Sequence, residues 1–379
     1  MPTEEACIQL KPGKLFDSKT VSESGKVPVL NQSETGFLGY HDDVPGVVAS
    51  PETPVVTFAN HTCAIRLMKQ PFSTIQNIFP KVGKPSVTDT TYFYYAALGR
   101  IVLSDYKGHH PLFRRAHIPV PPLPVQQRIV GILSAYDDLI ENSQRRIRIL
   151  EATARDLYRE WFVHFRFPGH ENHPRVTSSL GEIPEGWEGT FGDLATIERN
   201  GINPFQFPDE EFEHFSLPAF DNDRLPTIEL GATILSGKYC IDDSTVLLSK
   251  LNPRIPRIWL PAQSGHRRAI TSTEFLGLKP QPGVTREFIY AKCCSDEFAG
   301  QFGSLAIGTS TSHQRVKPGN LLVMPSTLPD RRIISHFTKL VSPMLADCQQ
   351  LRSQIQNLRR TRDLLLPRLL SGQIDVKAA

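Results

Sequence analysis

The chain has 379 residues, 40% hydrophobic and 21% charged; disorder throughout is excluded and one ordinary core is exceeded, so two domains with connecting elements are expected. A net charge of +3 neither demands nor forbids a polyanionic partner. Six cysteines without C-x-x-C spacing or nearby histidine partners read as free thiols of a reducing compartment, and with no apolar run near the ~18 residues of a bilayer span and no basic-then-apolar leader, a cytoplasmic location and no membrane partner are expected.

Residues 1–122 read as a first globule of α+β texture, with short β-type runs at Val55–Ala59 and Thr91–Tyr95 and frequent Gly and Pro punctuation. Its last segment, from His117 to Pro124, is proline-stiffened and leads into a long helix expected over 123–167. Apolar residues recur there at 3-4 spacing: Ile129, Leu133, Tyr136, Ile140, Ile147, Leu150, Ala154, Leu157 and Trp161, interrupted only by the polar Ser143. A helix of this length, on the order of 60 Å, needs a packing partner.

Residues 168–179 read as a polar linker and 180–327 as a second globule, with strand candidates over 244–251 and 268–278 and a helix candidate over 286–302. A second long helix is expected over 328–372, followed by a tail, 373–379. Its stripe is Ile334, Phe337, Val341, Met344, Cys348, Leu351, Ile355, Leu358 and Leu365, and Pro343 is expected to kink or divide it. Leu123-Pro124 and Leu328-Pro329 introduce the two helices 205 residues apart, which points to an internal duplication of globule plus helix. From Asp330 to Leu370 there are eight Lys or Arg against three Asp. The helix arginines Arg145, Arg146, Arg359, Arg360 and Arg362 read chiefly as solvated helix faces.

No catalytic constellation emerges. The run from Gly231 to Tyr239 has five residues between its glycines and Tyr where a phosphate loop needs Ser or Thr. Asn203-Pro204-Phe205 lacks the second proline of an amino-methyltransferase motif, and His164, His170 and His173 have no matching carboxylates for a metal. No catalytic residue and no metal ligand is therefore assigned.

What stands out are donors suited to phosphates and base edges. In the second globule an apolar strand delivers the basic loop Lys250, Asn252, Arg254, Arg257, and a hydroxyl-rich loop carries Ser310, Thr311, Ser312, Gln314, Arg315 and Lys317. In the first globule Lys107, His109, His110, Arg114 and Arg115 precede their helix at a similar distance. These are the candidate DNA contacts.

Pro121-Pro122-Leu123-Pro124-Val125-Gln126-Gln127-Arg128, Leu157-Tyr158-Arg159-Glu160-Trp161-Phe162 and Gly181-Glu182-Ile183-Pro184-Glu185-Gly186-Trp187 resemble the central conserved region of type I restriction-modification specificity subunits. Leu248-Ser249-Lys250-Leu251-Asn252-Pro253-Arg254, Ser272-Thr273-Glu274-Phe275 and Gly308-Thr309-Ser310 with Gln314-Arg315-Val316 are similar to motifs of that family's target-recognition domains, and the end of the second helix, Leu369-Leu370-Ser371-Gly372, to its second conserved region. The resemblance implies an α+β chain of two similar target-recognition domains, separated by two long helices packed as an antiparallel coiled coil with a pseudo-two-fold axis. It also implies a non-catalytic subunit that reads a bipartite, asymmetric double-stranded DNA site. Two methyltransferase (modification) subunits and the restriction subunits would dock on it, and S-adenosylmethionine, ATP and Mg belong to those partners, with no cofactor bound by this chain. The opening segment of the second globule, Trp187 with Phe191-Gly192-Asp193-Leu194, has no counterpart near the N-terminus, so the first domain is either shortened at its start or a compact variant. The alternative reading is a non-catalytic coiled-coil scaffold or another dimer-like DNA-binding protein, which accounts for the helices and leaves the basic loops unexplained.

Overall fold

The computed structural model describes residues 1–101, 103, 108–262, 265–307 and 314–376. It divides into two compact units, one of residues 1–139 with 358–379 and the other of residues 140–357. Each long helix thus contributes one part of its length to each unit.

In the first unit a four-stranded antiparallel sheet has the order Cys7–Gln9, Ile78–Gly83, Val55–Ala59, Ile65–Met68. A three-stranded sheet has Val27–Leu30 at its centre, antiparallel to Gly39–His41 and parallel to Ser73–Thr74. Val55–Ala59 is buried on both faces. Val56 and Phe58 face a core with Tyr92, Phe93 and Phe113, while Val55 joins Leu30, Phe72 and Ile78. A strand between two cores has both faces buried, which is why the run VVTFA shows no hydrophobic-polar alternation and its one polar residue, Thr57, is buried with the rest.

Thr91–Tyr95, expected as a strand, lies inside a helix, Thr90–Ala97. Asp89 decides this: its Oδ1 accepts the Tyr92 amide at 2.8 Å and caps the first turn. The aromatic residues then pack into the core, which overrides their intrinsic strand preference. Gln126, fully buried in the first long helix, holds this cap in place. Its Oε1 accepts from the Asp89 amide at 2.9 Å, and its Nε2 donates to the carbonyls of Val87 and Pro121 at 2.9 and 2.7 Å.

The second unit repeats the scheme. Its four-stranded sheet has the order Ala195–Glu198, Phe275–Pro280, Val246–Ser249, Ile258–Trp259. In its five-stranded sheet Glu211–Phe215 is antiparallel to Thr227–Leu230 and parallel to Arg268–Thr271, with Lys238–Cys240 and Asn200–Ile202 beyond. Val246 and Leu248 face one core and Leu247 the other. The run 268–278 is therefore two strands in two sheets, separated by the turn at Ser272–Glu274. The helix expected over 286–302 is likewise two, Arg286–Cys293 and Asp296–Ser304, because Ser295 caps a new start by accepting the Phe298 amide at 3.2 Å. The isolated bridge Pro2↔His117 matches the pair Thr190↔Pro325 of the second unit, and the two four-stranded sheets share one strand order.

The first long helix runs Leu123–Tyr158 and closes in a π-helical turn, Arg159–Val163, short of the expected end at 167. The second is continuous over Arg331–Leu370. Pro343 neither divides nor ends it: the proline sits on the exposed face, where water reaches the carbonyl freed one turn earlier. In the first unit Ile129 and Leu133 share a core with Leu365 and Leu369. In the second, the Cys348 thiol donates to the Ile147 carbonyl at 3.9 Å, and Tyr158, Trp161 and Phe162 pack on Phe337. Of the expected stripe, Tyr136, Leu150, Leu157, Met344 and Leu358 are half-buried and the rest are buried, except that Leu365 is also half-buried. Leu345, Tyr158 and Phe162 are buried seam residues that the spacing did not single out, and Ser143 is buried in line with them. Arg362, read as a solvated arginine, instead joins the helices of the first unit by donating to Asp137 at 2.5 Å. Arg352 with Glu151, also at 2.5 Å, does so in the second.

Candidate nucleic-acid interface

The sequence pointed to two basic loops in the second globule, and the structure sews their described parts together. The Lys250 amide donates to the Glu274 carbonyl at 3.0 Å, the Lys250 carbonyl accepts from the Val316 amide at 3.1 Å, and the Asn252 amide donates to the Gln314 carbonyl at 2.9 Å. Three segments, 250–257, 272–274 and 314–317, therefore form one junction. Asn252 adopts a left-handed conformation, φ 49°, which a short amide side chain tolerates. The Ser249 hydroxyl braces the turn, donating to the Leu251 carbonyl and accepting its amide at 3.1 and 3.2 Å.

On this junction Arg254 and Lys317 are exposed and Lys250 and Gln314 half-exposed. Arg254 forms no ion pair among the described residues. Arg315 is also exposed, but its Nε and Nη2 each donate to a carboxylate oxygen of Glu274 at 3.1 Å, and that carboxylate strengthens the arginine's hold on its proton. Arg257 is placed differently from expectation. It donates through Nε and Nη2 to Asp221 at 2.7 and 2.9 Å, and only 17% of its side chain is exposed. It is a clamp between the loop and the Leu217–Asp221 helix. Ser310, Thr311 and Ser312 lie outside the described residues.

The first globule has a junction of the same connectivity. The Asn60 amide donates to the Asn77 carbonyl and the Asn60 carbonyl accepts from the His109 amide, both at 3.0 Å. Asn60, Asn77 and Gly108 thus stand where Lys250, Glu274 and Arg315 stand in the second. The two histidines expected as DNA contacts are corrected. His109 is buried, its ring against the Asn60 carbonyl at 3.0 Å. His110 donates its amide to Asn60 Oδ1 at 2.8 Å and stacks its ring on Phe79 at 3.7 Å. Burial, with Lys81 and Arg114 nearby, holds His110 down at about 4 and keeps it neutral. The aromatic wall of Phe58 and Phe79, invisible in the sequence, takes the His110 ring, and the Asn60 carbonyl takes the His109 ring. Arg114 is paired with Glu4 at 2.7 Å and Arg115 is exposed; Lys107 lies outside the described residues. Among the described residues no group of three or more His, Cys, Asp or Glu is arranged to hold a metal, and no helix is long and apolar enough to cross a membrane.

A family model described as the type I restriction modification DNA specificity domain matches residues 7–152, the first globule with most of its helix. The type I restriction enzyme MjaVIII specificity subunit of Methanocaldococcus jannaschii is 30% identical over 323 residues, which span 78% of this chain and 72% of that protein. The chain belongs to the type I restriction enzyme specificity subunits. The MjaIX specificity subunit of the same organism is 25% identical over 344 residues, 83% of this chain and 75% of that one. The crystal structure of a type I restriction-modification system S subunit from M. genitalium shares the fold, with a TM-score of 0.60 over 98% of this chain and 95% of that chain at 14% identity. This specificity subunit is accordingly the component that supplies DNA sequence specificity, a non-catalytic part of its restriction-modification enzyme. Glu274 and Asp221, the acidic partners of two candidate arginines, were not among the candidate contacts; Glu274 stands in the Ser272–Phe275 motif, and their contacts to the arginines give both their roles.

Proposed function

We propose that this specificity subunit reads a bipartite, asymmetric DNA site with two target-recognition domains, one per globule, held apart by the long helices as an antiparallel coiled coil. The observation that carries this reading is the recurrence of one junction: the same strand order and the same two backbone bonds, at Asn60 and at Lys250, presented with different side chains. A repeated scaffold with unlike corners suits two half-sites of unlike sequence, and a pseudo-two-fold relation of the repeats suits a split duplex target. In this reading phosphate contacts from Lys and Arg supply affinity that falls with salt, while Arg, Asn and Gln at base edges discriminate. The helices dock two modification subunits, which bring S-adenosylmethionine, and restriction subunits, which bring ATP and Mg; this chain holds none of them. Methylome sequencing of cells carrying the subunit with its modification partner, wild type against Arg254→Ala, tests the proposal. A split motif is expected, relaxed by the substitution in one half alone. A continuous motif, or relaxation of both halves, refutes it.

A further inference from the structure

We infer that Glu274 is a positioning residue for base recognition, holding Arg315 by one edge of its guanidinium so that the other edge is aimed at a guanine. The inference rests on the reading of the junction as a DNA face. An arginine carries five N–H donors in a rigid plane. Glu274 takes the Nε and Nη2 edge with both carboxylate oxygens at 3.1 Å, which leaves Nη1 and the second Nη2 hydrogen free of any partner among the described residues. That pair has the spacing for O6 and N7 of guanine in the major groove. Half of the Arg315 side chain remains exposed while Glu274 is largely covered, so the carboxylate lies behind the guanidinium.

A structural role is the competing explanation, and the first globule argues against it. There the same junction closes through the same backbone bonds with Asn77 in place of Glu274 and Gly108 in place of Arg315. The ion pair is therefore not needed to build the junction. Half of its arginine is moreover in solvent, and pairs reached by water add little to stability. A carboxylate beside DNA also repels phosphate, so its presence on this face costs affinity, and what it returns is a fixed orientation.

The test uses the subunit assembled with its modification partner and duplexes carrying the motif that methylome sequencing gives. Each guanine of one half-site is replaced in turn by 7-deazaguanine, which lacks N7, or by another base. For wild type, one guanine is expected to show about a tenfold loss of binding on 7-deaza replacement. Arg315→Ala should be insensitive to that replacement. Glu274→Gln should lose most of the sensitivity at the same guanine and at no other, while binding an unrelated duplex as tightly as wild type or more so. The double variant should discriminate no worse than Arg315→Ala. Wild-type discrimination in Glu274→Gln, an equal loss on every duplex, an additive double variant, or a melting temperature well below that of Arg315→Ala overturns the inference. If Arg315→Ala itself changes nothing, it is the DNA-face reading of the junction that fails.

Discussion

At the scale of single residues, neighbours decide which polar side chains are available. Arg254 and Arg257 belong to one short loop, yet Asp221 grips only the second. Arg257→Ala is expected to lower stability by about 1 kcal/mol while leaving the methylated motif intact, and Arg254→Ala to do the reverse; melting curves and methylomes of the two variants check both. His110 gives a pH signature. Its folded-state value of about 4 lies below the ordinary 6.5, so the unfolded chain takes up a proton that the folded one refuses. The stability linked to this ring is fully present above about pH 6.5 and is lost as pH falls toward 4. In His110→Phe, which keeps the stack on Phe79, the melting temperature should fall less than in wild type over that interval; parallel curves would contradict the assignment.

At the scale of elements, Gln126 holds three backbone groups, two in the 87–89 turn and one at Pro121, against the start of the first long helix. Gln126→Ala leaves a buried amide and two carbonyls unpaired and is expected to cost about 2–4 kcal/mol, measurable by denaturant unfolding of the full chain. The long helices were legible from the 3-4 spacing because that period reports burial directly, and the strands Val55–Ala59 and Val246–Ser249 because a strand between two cores carries apolar residues on both faces. The misreadings have a common physical source. Thr91–Tyr95 looks like a strand until Asp89 caps it, 286–302 looks like one helix until Ser295 restarts it, and Pro343 looks like a break until its face proves exposed. In each case one local bond or one exposure outweighs the propensity of the run. Of the candidate site, the basic loops were legible as composition, but their union into one junction rests on backbone bonds between segments more than sixty residues apart, and no side-chain pattern encodes that.

At the scale of the whole molecule, the proposed reading assigns recognition to the two globules and spacing to the long helices. Deleting seven residues around Ser143 removes about two helical turns and keeps the apolar stripe in phase. The permitted gap between the half-sites in the methylated motif is expected to change, or methylation to cease, with each half-site sequence preserved. An altered half-site would mean that the helix also reads DNA. Binding to the split site should weaken steeply between 50 and 200 mM salt, and a flat dependence would remove phosphate contact as the source of affinity.

The π-helical turn at Arg159–Val163 gives the first long helix a property its length does not. Such a turn holds one residue more than an α-turn, which lets the adjacent Trp161 and Phe162 both enter the core beside Tyr158, where a regular helix turns consecutive residues about 100° apart. The extra residue is angular slack. Removing it, by deleting Val163, would let the last turn close as an α-turn, with the following chain leaving on nearly the same bearing and only one of Trp161 and Phe162 keeping its place in the core. In this helix, residue count along the seam governs distance, and the wider turn at its end governs how many neighbouring side chains the core receives.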